Sequence, residues 1–248
     1  LAEGDRVAFV ASYAPTARVS RSLNQLIIRL RELDYDVVLV RASGDDRPLV
    51  WPEPHREDFV VLRKPNLGYD FGSWAIGMDR YPMLLSRPFV LLVNDSLAGP
   101  FENIDAVIGG FESDTCDVWG ATRSKQFMPH LQSYLLGFKN GILLDRAIKT
   151  FWNNLPLETE KMRIVEAYEM AFARLLFSEG FVTSAFVEPE QLISGEQNPT
   201  IDGWRRLLDL GFPFVKRTII TNPSLVPDGE AIAATVHAKF DTDLADWL

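Results

Sequence analysis

Phe89-Val90-Leu91-Leu92-Val93-Asn94-Asp95-Ser96 is the stretch on which the fold turns. Unbroken apolar residues, opened by Pro88 and closed by three turn-forming polar residues, read as a strand buried on both faces. Upstream, residues 7–12 (VAFVAS), 35–40 (YDVVLV) and 59–62 (FVVL) have the same character. Between the first two, residues 22–33 place Leu23, Leu26, Ile27, Leu30 and Leu33 on one helical face, and residues 73–80 read as a second helix. Strands alternating with helices predict an α/β fold: a mostly parallel central sheet with helices on both faces. Ligands on such sheets bind at the carboxyl ends of the strands, so the residues after each strand are the ones to read for function.

Further along, residues 117–121 and 133–138 read as strands, and 142–153 and 162–178 as helices. A short strand is expected over 180–187, and a helix over 202–210 that stops at Gly211, a residue suited to the C′ position. No internal repeat or low-complexity linker interrupts the chain, so residues 1–230 are expected to form a single domain. Residues 231–248 are expected to be a C-terminal extension or the start of a linker to a further domain. The chain begins at Leu1, and the expectation is one module of a longer protein.

Composition narrows the function. The 248 residues carry a formal net charge of −9, which argues against nucleic acid as a partner. With 47% hydrophobic residues the chain can bury enough surface to fold. No apolar run approaches the ~18 residues of a spanning helix, and no signal peptide is visible. One cysteine, Cys116, excludes a disulfide framework and a cysteine-rich zinc site, and a cytoplasmic setting follows.

Two post-strand segments carry chemistry. Asn66-Leu67-Gly68-Tyr69-Asp70-Phe71-Gly72-Ser73-Trp74 follows the third strand, where glycines allow close backbone approach to a ligand at a helix N-terminus. Its plainer reading is a tight turn with Asp70 or Ser73 as the cap. Asn94-Asp95-Ser96 follows the fourth strand, where a carboxylate could hold a hard cation and a diphosphate; its plainer reading is an Asx-turn. Ser12 and Tyr13, after the first strand, fall on the same edge.

These motifs resemble the rhamnan synthesis F family of bacterial polysaccharide glycosyltransferases. The carriers are NLGYDFGSW (66–74), NDSLAGPF (94–101), HLQSYLLGF (130–138), FWNNL (151–155), YEMAFARLLFSEGF (168–181) and NPT…W…PFVKR (198–217). The resemblance implies a GT-A-like domain that moves a sugar, often L-rhamnose from dTDP-rhamnose, onto a cell-surface glycan. The donor would then meet Ser12, Tyr13, Asn66, Gly68, Tyr69, Asp70, Gly72, Ser73, Asn94, Asp95 and Ser96. Asp95 takes the place of the usual D-x-D carboxylate and is the metal candidate for Mg²⁺ or Mn²⁺. Because Asn94 and Ser96 stand where a second acid would be, metal-independent transfer, with Lys216 and Arg217 neutralising the leaving group, is equally open.

Inverting transfer needs a general base, and the resemblance puts Glu169 first, with Asp70 as its rival. Glu166, at i and i+3 with Glu169, is expected to face the same way. His130, Gln132 and Ser133, after a flexible-looking basic stretch (residues 123–126), suit the acceptor side. Trp204 could stack on a sugar ring, whereas Trp152 reads as core. By analogy the acceptor is a lipid-linked glycan and the protein works at the inner face of the membrane, with any membrane contact made by other domains. The alternatives are a GT-A transferase of another sugar, or a module that binds nucleotide sugar or glycan without turning it over.

Overall fold

The computed structural model describes residues 4–156, 161–192 and 198–248. Strands β1 (Arg6–Tyr13), β2 (Asp36–Ala42), β3 (Val60–Lys64) and β4 (Phe89–Asn94) are mutually parallel, in the order β3-β2-β1-β4. Outside the main sheet lies β5 (Leu97–Ala98). The sheet continues through β6 (Val118–Ser124), its hairpin partner β7 (His130–Leu131), and β8 (Leu135–Lys139), which pairs antiparallel with both β4 and β6. Strand β9 (Thr183–Val187) runs parallel to β6, and β10 (Val215–Lys216) forms a small antiparallel ribbon with β5.

Alternation along β1 sets the two layers. Ala8 and Val10 pack with Leu23, Leu26, Ile27 and Leu30 of α1 (Arg21–Glu32). Val7, Phe9 and Ala11 point to the opposite face, against Phe71, Trp74 and Met78 of α2 (Tyr69–Arg80). Successive strand residues face opposite ways, so both halves of each apolar run are consumed. Each fully buried Leu, Ile or Val contributes about 1.5–3 kcal/mol, which holds strand and helix ends in place around the site.

The remaining helices are α3 (Asp105–Ser113), α4 (Arg146–Asn153), α5 (Lys161–Ile164), α6 (Ala171–Ser178), α7 (Pro199–Asp202), α8 (Trp204–Asp209), α9 (Arg217–Thr221) and α10 (Ile232–Phe240). The helix expected over 162–178 is interrupted by a π-helical stretch, Val165–Met170. The helix expected over 142–153 begins with a 3₁₀ turn and then restarts at Asp145, whose side chain caps Ala147 N–H at 2.8 Å. The helix at 202–210 starts earlier, capped by Asn198, and breaks at Gly203. It stops as expected: Gly211 has φ +85°, Phe212 N–H reaches Leu207 C=O at 3.0 Å and Gly211 N–H reaches Leu208 C=O at 3.2 Å, a Schellman ending.

Residues 231–248 supply α10 and a final 3₁₀ turn, Leu244–Trp247. Ile232, Val236, Leu244 and Trp247 are buried together with Ala98, Phe101 and Trp204, and the Ser22 hydroxyl of α1 donates to Trp247 C=O. Among the described residues no helix is long and apolar enough to cross a membrane.

Candidate functional site

Strand β1 lies between β2 and β4, so the order of the strands reverses there and a crevice opens at their carboxyl ends. Ser12, near the end of β1, donates its hydroxyl to Asp95 Oδ2 at 2.6 Å, just past β4. Ser12 Oγ in turn accepts from Arg41 Nη1 at 2.6 Å, from the end of β2. Arg41 is 2% exposed; its Nη2 also donates to the Thr16 and Arg18 carbonyls, while its Nε has no partner. Arg217 Nε donates to the Asp95 backbone carbonyl at 3.0 Å, and its Nη2 to Ser20 Oγ at 3.0 Å. Burial pushes the Asp95 carboxyl up, against the opposing pull of the Ser12 hydroxyl, Arg217 and Arg41.

Beside this lies a second carboxyl. Asn94 accepts the Ser96 N–H at its Oδ1 (3.0 Å) and donates from Nδ2 to Asp70 Oδ2 (2.8 Å). The Asx-turn is therefore real and also aims the amide at Asp70. Burial, followed by the Asp95 charge, pushes Asp70 up to about 7; Asn94 lowers it, Glu169 raises it further, and Lys64 pulls it down. The third carboxylate, Glu169, accepts a hydrogen bond from the Ser133 hydroxyl, out of the loop between β7 and β8. Glu166 does not share its face: the π-helical stretch changes the residue spacing, leaving Glu166 exposed and Glu169 half-buried.

A polar cleft of about 450 Å³ opens beside β1, lined by Tyr13, Arg41, Ser43, Asp46, Arg63, Lys64 and Asn66 among others. Tyr13 is 50% exposed within it. Arg41, Arg63 and Lys64 were not singled out from the sequence, because charged residues at a strand end read as solvated. The usable signal was the carboxyl end of β2, which obeys the same rule as β1, β3 and β4.

Several expected residues serve the scaffold instead. Ser73 is buried and its hydroxyl turns back to Tyr69 C=O at 3.0 Å, within its own helix, so it faces no ligand. Helix α2 starts one turn before Ser73: its N-cap is Gly68, with φ +71°, and neither Asp70 nor Ser73 caps it. A Cβ on Gly72 would stand 2.8 Å from Leu67 C=O, so this glycine answers the turn above α2. Trp204 is fully buried, with its Nε1 bound to Asp228 Oδ1 at 2.9 Å, so it is core and not a sugar platform, as is Trp152. Lys216 lies in β10, half-buried, and Arg217 spends its donors on Asp95 C=O and α1.

On the acceptor side, His130 is buried with Nδ1 at 2.8 Å from Met128 C=O. Gln132 is buried in a network with Thr122, Asn198 and Thr200. The stretch before them is tied down: Arg123 Nε bonds Glu188 at 3.0 Å and Lys125 pairs with Glu190. Of that group, Ser133 alone reaches a catalytic candidate. For a divalent metal the donor set is poor. Asp95 is engaged by Ser12 and flanked by guanidinium groups, and no cluster of three or more acidic, His or Cys ligands occurs among the described residues. The residues present do not fit a metal held by protein ligands alone.

Residues 56–243 match the family described as rhamnan synthesis protein F. The chain belongs to that family. Its relatives include the virulence protein VirA of Vibrio anguillarum, 27% identical over 232 residues, covering 80% of this chain and 74% of VirA. An uncharacterized protein, y4gN, of Sinorhizobium fredii is 25% identical over 155 residues, 60% of this chain and 40% of that one. Among solved structures, a Bacillus anthracis protein assigned as a glucose-1-phosphate thymidylyltransferase aligns at a TM-score of 0.42 and 8% identity over 77% of this chain and 87% of its own, too distant to inform function. Membership of the rhamnan synthesis F family makes this chain a protein of polysaccharide synthesis.

Proposed function

We propose that this chain is a GT-A-like glycosyltransferase domain that transfers L-rhamnose from dTDP-rhamnose to a surface polysaccharide, with inversion at the anomeric carbon. The observation that carries the reading is the meeting of Ser12, Arg41 and Asp95 at the strand-order reversal, opening onto a cleft lined by Arg41, Arg63 and Lys64 with Asp45 and Asp46, and flanked by Asp70 and Glu169. Tyr13 and Asn66 would bind the nucleotide, while Arg41, Arg63 and Lys64, each also anchored to backbone carbonyls, would offset through their fixed charge the charge that grows on the departing diphosphate. Glu169, oriented by Ser133, takes the proton of the acceptor hydroxyl as its oxygen bonds to the anomeric carbon. The bond from that carbon to the diphosphate oxygen breaks in the same step, and nucleoside diphosphate leaves. Asp70 and Asn94 would hold the donor sugar.

Neutralisation by fixed cations leaves no step that needs a metal. A lipid-linked acceptor at the inner membrane face fits this chemistry, with membrane contact supplied by other parts of the protein. The test is a thermal-shift panel of nucleotide sugars with Mg²⁺, with Mn²⁺ and with EDTA, followed by transfer assays on Glu169→Gln. Stabilisation by dTDP-rhamnose that survives EDTA is expected, and Glu169→Gln should bind donor yet lose about 10²–10⁴ in rate. Absence of stabilisation by every nucleotide sugar would sink the donor site, and full activity in Glu169→Gln would remove the base.

A further inference from the structure

The β6–β7 hairpin carries a feature that donor binding and proton transfer leave unused. Its last pair is Ser124 opposite His130, and residues 125–129 form the tip. At the centre, Phe127 has φ +67° and Met128 N–H closes back on Gln126 C=O at 2.8 Å, a three-residue turn of the strained hand. A bulky aromatic residue at positive φ is an outlier that persists only where its surroundings enforce it. Here they do. Gln126 N–H is held by Ser124 Oγ at 3.1 Å, Gln126 Oε1 accepts from Asn198 Nδ2 at 3.4 Å, and Met128 C=O meets His130 Nδ1. Lys125 and Arg123 are pinned to Glu190 and Glu188.

The product of this bracing is an exposed ring. Phe127 is 66% exposed, though an aromatic side chain gains most by burial. The hairpin also leads to the reaction centre: β7 packs against the π-helical stretch, and Ser133, three residues beyond His130, bonds Glu169. Phe127 at the tip is six residues from Ser133, a span of at most about 20 Å, within the length of a few sugar units, so ring and Glu169 can touch the same glycan chain.

We propose that Phe127 is the acceptor-side platform of this enzyme, stacking on the apolar face of a pyranose ring in the rhamnose-containing glycan that is being extended. This rests on the glycosyltransferase reading for the identity of its ligand. A pyranose presents a face of C–H groups, and a 6-deoxy sugar adds a methyl; removing that area from water against a rigid ring is favourable without a charge on either side. Charge at the tip decides against an anionic lipid surface. Lys125 is neutralised by Glu190 and Arg123 by Glu188, so the tip offers a neutral aromatic face and not the cationic rim such a surface attracts.

The test is affinity electrophoresis of the folded protein in native gels cast with and without soluble rhamnan. Wild-type protein should be retarded by rhamnan, Phe127→Ala should need about tenfold more rhamnan for the same retardation, and Phe127→Trp should restore it. Because the ring is solvent-exposed, the variants should melt as wild type does, and Glu169→Gln should be retarded normally. Equal retardation of wild type and Phe127→Ala, or none for wild type, would overturn the proposal. So would Phe127-dependent sedimentation with phosphatidylglycerol vesicles in place of rhamnan binding. Donor-induced stabilisation is read separately: its loss with rhamnan retardation intact counts against the donor site alone, and the reverse against Phe127 alone.

Discussion

Asn94 ties the end of β4 to the start of α2 by donating its amide nitrogen to Asp70 Oδ2 at 2.8 Å, while its amide oxygen is occupied by Ser96 N–H. One side chain thereby closes a turn and lowers a carboxyl that burial and the Asp95 charge push up to about 7. Donation to a carboxylate favours its ionised form.

Replacing Asn94 by Leu removes that donor, so Asp70 should hold its proton to higher pH. Where activity depends on the Asp70 charge, the acidic limb of the pH–rate profile should move upward from near 7, and Asn94→Gln should move it less. A profile of unchanged midpoint in Asn94→Leu would uncouple the two residues.

Asp70 also makes a stability prediction. Its folded value, about 7, lies above the ordinary 3.8, so the folded state holds the proton more tightly than the unfolded chain. The contribution is fully present below about pH 4 and is lost as pH rises towards 7. Asp70→Asn removes this dependence, so its melting temperature relative to wild type should climb between pH 4 and 7 and level off above. Thermal denaturation of both proteins across that range checks the sign; a difference that falls with pH would contradict it.

Arg41→Met keeps most of the buried stem but removes the guanidinium beside Ser12 and Asp95. It should cost about 3 kcal/mol in urea denaturation, because the Ser12 hydroxyl and the Thr16 and Arg18 carbonyls lose their donor and buried Asp95 loses a nearby positive charge. It should also weaken donor-induced stabilisation. Ser12→Ala, which leaves the cation in place, should cost less.

Gly72→Ala separates packing from ligand approach. The added methyl would meet Leu67 C=O at 2.8 Å, a backbone atom that cannot swing away. A loss of about 1–3 kcal/mol is expected, with donor affinity of the remaining folded protein little changed. Weakened donor binding at wild-type stability would return Gly72 to the ligand.

Much of the layout was readable in advance because apolar periodicity is local. The four parallel strands, α1, and the edge on which Ser12, Asp70 and Asn94-Asp95-Ser96 meet follow from runs and spacings a few residues long. Expectations failed where a side chain's fate depended on a distant partner. Trp204 became core through Asp228 and α10, and Ser73 turned into its own helix. Phe127 stood out only once its φ and exposure were known.

From its sequence alone, this protein is an α/β chain of the rhamnan synthesis F type with polar residues gathered at the carboxyl edge of a parallel sheet. Those properties depend on composition and short-range pattern, which survive without coordinates. Only the tertiary structure decided that Arg41 links through Ser12 to Asp95, 83 residues along the chain from that serine. It alone decided that a π-helical stretch turns Glu169 toward Ser133 and leaves Glu166 in solvent. Hydrogen bonds and burial between residues far apart in sequence arise from how strands and helices pack, and no local period encodes them.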